Sequence, residues 1–139
     1  MLLCIPEVLT ASEVLTLLEQ LQHADCWEEG KRTAGAIASK VKNNRQLKDG
    51  AAMTGAQENV QMSLSDFVLA KIQNNPDFIS ATLPKFILPP KFNAYKEGEN
   101  YGLHVDSALM HHPVLNEAIR CDISGTLFLS DPESMKGGS

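Results

Sequence analysis

A chain of 139 residues carries one domain and one modest core. Its net charge of −5 argues against a nucleic-acid surface as its main business and leaves no polybasic patch for a membrane. No apolar run is long enough to span a bilayer, the N-terminus lacks the basic flank of a signal peptide, and Cys4, Cys26 and Cys121 are scattered without a C-x-x-C. A cytoplasmic protein with reduced thiols is the simplest reading.

Leu2 to Ile5 is a short apolar run stopped by Pro6, which fits an edge strand. Thr10 followed by Glu13 forms a capping box, and Val14, Leu15, Leu17, Leu18 and Leu21 follow at helical spacing. This predicts a helix from about Ala11 to Ala24, packed on a sheet. After Trp27, residues Glu28 to Lys31 read as a turn. Weak alternation from Thr33 to Val41 suggests a strand, and Val41 to Leu47 is polar and loop-like. Lys42, Asn43 and Asn44 offer a cation and two amides that could line a substrate mouth.

Val60, Leu64, Phe67, Val68 and Ile72 predict a second helix within Gln57–Gln73, ended by Asn74-Asn75-Pro76. Asp77 to Thr82 could add a further turn. Phe86, Ile87 and Leu88 read as an apolar strand between prolines. Ser107 to Glu117 reads as a loop, and Arg120 to Ser130 as a strand broken by Asp131-Pro132. Helices first and strands later predict an α+β domain, with helices packed on one side of a mostly antiparallel sheet.

The chemistry concentrates between Phe92 and Asp106. Phe92 to Tyr95 reads as a strand, Glu97 to Asn100 as a turn that uses the conformational freedom of Gly98, and Tyr101 to Asp106 as a second strand. Side chains two apart on a strand share a face, so His104 and Asp106 present an imidazole and a carboxylate together. Those are two of the three ligands of a 2-His-1-carboxylate site for Fe(II). A bare H-x-D also arises by chance on surface strands, and the surrounding residues decide its weight.

The aromatic strand, Tyr95, the Gly98 turn, Tyr101 and then His104-Val105-Asp106 resemble the iron-ligand strand of prolyl-4-hydroxylase-like dioxygenases, in particular their bacterial PKHD-type branch. Thr126-Leu127-Phe128-Leu129-Ser130-Asp131-Pro132 with Gly137-Gly138 resembles a second motif of that branch. The opening residues and Val41 to Asn44 resemble it as well. The resemblance implies a partial double-stranded β-helix, a jelly-roll relative. Residues 1–84 would then be a helical support and residues 85–139 the start of the β-helix core. It also implies Fe(II) held by His104 and Asp106, 2-oxoglutarate as co-substrate and L-ascorbate as reductant. Oxidative decarboxylation of 2-oxoglutarate to succinate and CO2 would accompany hydroxylation of a substrate C–H bond. Tyr95 would hydrogen-bond the co-substrate carboxylate. Arg120, and less favourably Arg45, could pair with a carboxylate, although a structural ion pair is the plainer role for either. Relatives associated with iron uptake point to a siderophore-related molecule or a protein side chain as substrate.

The family pattern continues past Ser139 with a second ligand histidine and a 2-oxoglutarate arginine. The sequence therefore reads as the N-terminal part of such an enzyme, without turnover alone. Its last strand would leave an open sheet edge able to self-associate. Two other classes compete: a non-catalytic binding protein that reuses the fold, and a small zinc protein using His104, Asp106 and the His111-His112 pair. Otherwise those two histidines read as an exposed loop, and His23 as a helix-surface residue.

Overall fold

The computed structural model describes residues 1–23, 27–29, 42–43, 45–47, 63–94, 100–101, 108–112 and 114–130. The first helix, α1, spans Ala11–His23. Its start is set by the capping box. The Glu13 backbone N–H donates to Thr10 Oγ1 at 3.2 Å, and the Thr10 N–H donates to Glu13 Oε1 at 3.0 Å. Leu9 before the cap and Val14 in the first turn both join the core, which fixes the angle at which the chain enters the helix. Leu17 is fully buried, whereas Leu15, expected on the same stripe, is exposed. No strand forms over Leu2–Ile5.

Strands β1 (Trp27–Glu29), β2 (Lys42–Asn43) and β3 (Arg45–Leu47) follow. Two expectations are corrected by them. Residues 28–29 form a strand rather than a turn, and residues 42–43 and 45–47 form strands rather than a polar loop. Tertiary pairing overrides the polar local sequence. Arg45, Gln46 and Leu47 lie opposite Glu29, Glu28 and Trp27, with Leu47 and Gln46 buried. The strand suggested within Thr33–Val41 lies outside the described residues.

Helix α2 spans Leu64–Gln73. The expected start near Gln57 lies outside the described residues, but Ser63 is a cap rather than a helical residue. Its backbone is extended, and its hydroxyl accepts the Asp66 N–H at 3.0 Å. Helix α3, Pro76–Thr82, follows at once. Asn75 caps it by accepting the Phe78 N–H at 2.8 Å, and Pro76 opens the first turn, where no N–H is needed. The apolar run after it is not a strand. Pro84, Pro89 and Pro90 have no N–H to give a ladder, and Leu83 before them sits at φ 44°.

Strands β4 (Asn93–Ala94), β5 (Asn100–Tyr101), β6 (Leu109–His112) and β7 (Glu117–Arg120) complete the described elements. All pairing is antiparallel: a three-stranded sheet in the order β1-β3-β4, a β2-β5 pair and a β6-β7 pair. The class is α+β. Leu9, Leu17, Leu47, Leu64, Val68 and Phe92 form the core, and Val14, Leu21, Trp27, Phe67, Ile72 and Leu129 pack against it. Burying each large aliphatic side chain contributes about 1.5–3 kcal/mol.

Two further expectations are corrected. The segment after Ser107 is a hairpin, not a loop, because Asn116 adopts the left-handed turn conformation at φ 51°. The strand expected over Arg120–Ser130 ends at Arg120. The Cys121 N–H donates to Ala108 O at 2.8 Å as the last rung, and residues 121–130 carry no ladder.

The Glu13 carboxylate also bonds Lys71 of α2 at 2.5 Å, so α1 and α2 share a charged clamp. The Lys71 hydrogen bond, followed by the Thr10 N–H, holds the Glu13 carboxyl below its ordinary value of 4.5. A depressed carboxyl stabilises the fold above its unfolded pKa, and that contribution is lost as pH falls through the folded value. Urea melts of Glu13→Gln should show a shallower loss of stability below pH 5 than the parent chain. Thr10→Ala should cost about 1 kcal/mol at neutral pH.

Candidate functional site

The ladder places the approach to the H-x-D motif. Lys42 and Asn43 of β2 pair with Tyr101 and Asn100 of β5. Arg45 and Gln46 of β3, one residue further along the same stretch, pair with Ala94 and Asn93 of β4. The Leu47 N–H adds a bond to Phe92 O at 3.0 Å. Strands β4 and β5 are therefore laid in succession along residues 42–47. Each pairs with this stretch; the rest of the strand-turn-strand expected between Phe92 and Asp106 lies outside the described residues. β5 ends three residues before His104, and β6 begins three residues after Asp106. Tyr95, His104 and Asp106 themselves lie outside the described residues.

What fixes this approach is the core. Phe92 is buried immediately before β4, and the Ser65 hydroxyl donates to Pro90 O at 2.8 Å, which ties the same segment to the first turn of α2. Lys42 and Asn43, suggested from sequence as a substrate mouth, are the backbone partners of the strand that leads to His104. Residue type alone suggests their role. Their position beside β5 is a product of pairing that no local pattern announces.

The arginines have separate surroundings. Arg120 is 77% exposed, with its Nε 2.7 Å from Asp122 Oδ1. An ion pair this open to water adds little stability. Arg45 lies with its guanidinium 5.8 Å from the centre of the Trp27 ring, a cation–π contact beside the core.

Strand β6 sends His111 and His112 to opposite faces. His111 is exposed. His112 Nδ1 accepts the N–H groups of Val114 and Leu115 at 3.2 and 3.1 Å, and its ring meets Phe86 edge-on at 5.6 Å. The tautomer assigned from these bonds carries its proton on Nε2, so the ring offers no lone pair to a metal while the turn holds. The sequence holds little trace of this clamp beyond a histidine followed by Pro113 and a turn asparagine. Among the described residues, no group of three or more His, Cys, Asp or Glu side chains could hold a metal ion.

No protein-family model matches the chain. Curated proteins do. A PKHD-type hydroxylase of Acidovorax ebreus (strain TPSY) is 45% identical over 138 residues, 99% of this chain and 57% of the relative. One of Hyphomonas neptunium (strain ATCC 15444) is 46% identical over 138 residues, 99% of this chain and 58% of the relative. One of Pseudomonas putida (strain W619) is 43% identical over the same coverage. The chain thus spans less than three fifths of the length of these relatives.

The clamp makes a local prediction. His112→Ala should loosen the β6–β7 turn by about 1 kcal/mol, seen as several-fold faster amide exchange at Val114 and Leu115. His112→Asn, which keeps a side-chain acceptor, should restore part of the protection.

Proposed function

We propose, from its likeness to proteins named PKHD-type hydroxylase, that the chain is of that family and carries part of the iron centre of an Fe(II)- and 2-oxoglutarate-dependent dioxygenase. The observation that carries this reading is likeness along 99% of the chain to proteins named as hydroxylases. The H-x-D motif then supplies the donors. A neutral imidazole and a carboxylate are the donor types of a facial iron site, and His104 and Asp106 are the pair in this sequence. The zinc reading is weaker, because it draws on the His111-His112 pair and His112 Nδ1 is bonded to the turn.

In this reading the strand of β5 continues to Asp106, so that His104 and Asp106 face one side. Fe(II), with 2-oxoglutarate as co-substrate and L-ascorbate as reductant, would supply the oxidative chemistry that hydroxylates a C–H bond. The chain's own share is to orient. The β2–β5 pairing holds the approach to the ligands, and Lys42 and Asn43 stand beside it as candidates to meet the substrate. Tyr95 is the candidate donor to the co-substrate carboxylate, while Arg120 would first have to leave Asp122. In this reading the described sheets would belong to a double-stranded β-helix. The substrate is a small molecule or a protein side chain.

Two donors do not complete an octahedral site, so these 139 residues alone should bind Fe(II) or Mn(II) more weakly than about micromolar and should not decarboxylate 2-oxoglutarate. Calorimetric titration and a CO2-release assay check this. Submicromolar affinity, or 2-oxoglutarate turnover by the chain alone, would count against His104 and Asp106 as its full set of ligands.

A further inference from the structure

The turn between β6 and β7 is held by a side-chain atom that can take up a proton. His112 Nδ1 accepts the N–H groups of Val114 and Leu115 at 3.2 and 3.1 Å. The His112 carbonyl accepts the Asn116 N–H at 2.9 Å, and Asn116 sits in the left-handed conformation at φ 51°. The imidazole is partly buried, and its edge-on contact with Phe86 fixes the side on which it lies. An acceptor nitrogen of imidazole has a single lone pair in the ring plane. A proton on Nδ1 removes that lone pair and turns the atom into a donor aimed at two other donors. The imidazolium and this turn therefore exclude each other. Imidazole titrates near neutrality, at about 6.5 when unrestrained.

We propose that His112 makes the tip of the β6–β7 hairpin a proton-sensitive latch, closed by the neutral ring and opened by the imidazolium. The proposal rests on the geometry of the turn and is independent of the iron reading. Opening is confined to the tip. At the base, the Cys121 N–H donates to Ala108 O at 2.8 Å, and the four pairs from His112–Glu117 to Leu109–Arg120 separate that bond from the turn. Among the described residues, four charged or titratable groups lie on the elements that touch His112. Glu117 is directly opposite on β7, and His111 is its neighbour on the other face of β6. Arg120 is at the far end of the hairpin, bonded to Asp122. Lys85 has its Nζ 5.5 Å from the centre of the Phe86 ring. Glu117 and Lys85 bring opposite charges towards the imidazole, so the test removes the Glu117 carboxylate as well as the ring.

The test measures amide protection factors on the isotope-labelled 139-residue chain from about pH 8 to about pH 5.5. That window stays above the Glu13 carboxyl, which titrates below 4.5. An unrestrained imidazole is about nine-tenths protonated one unit below 6.5, so protection at Val114 and Leu115 should fall about tenfold. The fall should be smaller at Asn116 and absent at Cys121. His112→Asn, whose acceptor does not titrate in this window, should hold its protection constant, while Glu117→Gln should keep the fall. The nitrogen spectrum of the parent chain should show His112 Nδ1 without a proton at the upper pH. The proposal is overturned by a proton on Nδ1 there, by a flat profile, by an equal fall in His112→Asn, by its disappearance in Glu117→Gln, or by an equal fall at Cys121.

Discussion

One contact governs the described structure: the closure of α1 and α2 over β3 and the segment that enters β4. Leu17, Leu64 and Val68 are essentially removed from water, and Leu47 and Phe92 meet them from the sheet side. Because Leu47 also bonds Phe92 through the backbone, the hydrophobic core and the first rung of the ladder form together. From that rung the register runs outward, through Gln46–Asn93 and Arg45–Ala94 to Asn43–Asn100 and Lys42–Tyr101. A register slip of one residue would turn each of these side chains to the other face. The core thus anchors the end of the ladder from which β4 and β5 are laid out.

Helices are legible in the sequence to the extent that their caps are. Thr10 and Glu13 mark the start of α1, and Asn75-Pro76 marks the junction of α2 and α3, because those residues do their capping locally. Ser63 is as good a cap, but apolar spacing taken alone extends the helix back towards Gln57. Strands are harder. β1 to β3 are polar and short, and they exist because each has a partner distant in sequence. Conversely, two segments with apolar character, Phe86–Leu88 and Ile123–Leu129, form no strand. The first is bracketed by prolines without donors. The second has β-branched and aromatic side chains but no ladder among the described residues.

The same contrast applies to the candidate site. Residue types single out His104 and Asp106, and likeness to PKHD-type hydroxylases gives the pair a chemical role. Pairing adds what neither can, by setting Lys42 and Asn43 beside the strand that leads to the motif. Histidine spacing suggests His111 and His112 as reserve ligands. The hydrogen bonds of His112 instead assign it to the turn between β6 and β7, where it also packs against Phe86. A ligand and a turn clamp draw on the same ring nitrogens, and only coordinates distinguish them.

Paramagnetic mapping of weakly bound Mn(II) on the isotope-labelled chain addresses the proposed iron ligands most directly, because it needs neither turnover nor tight affinity. Signal loss should centre on residues 102–107, extend to Lys42 and Asn43, and disappear in His104→Ala and in Asp106→Ala while surviving in His112→Ala. Broadening centred on His111 and His112, or spread over the acidic surface and untouched by those two substitutions, would contradict the assignment.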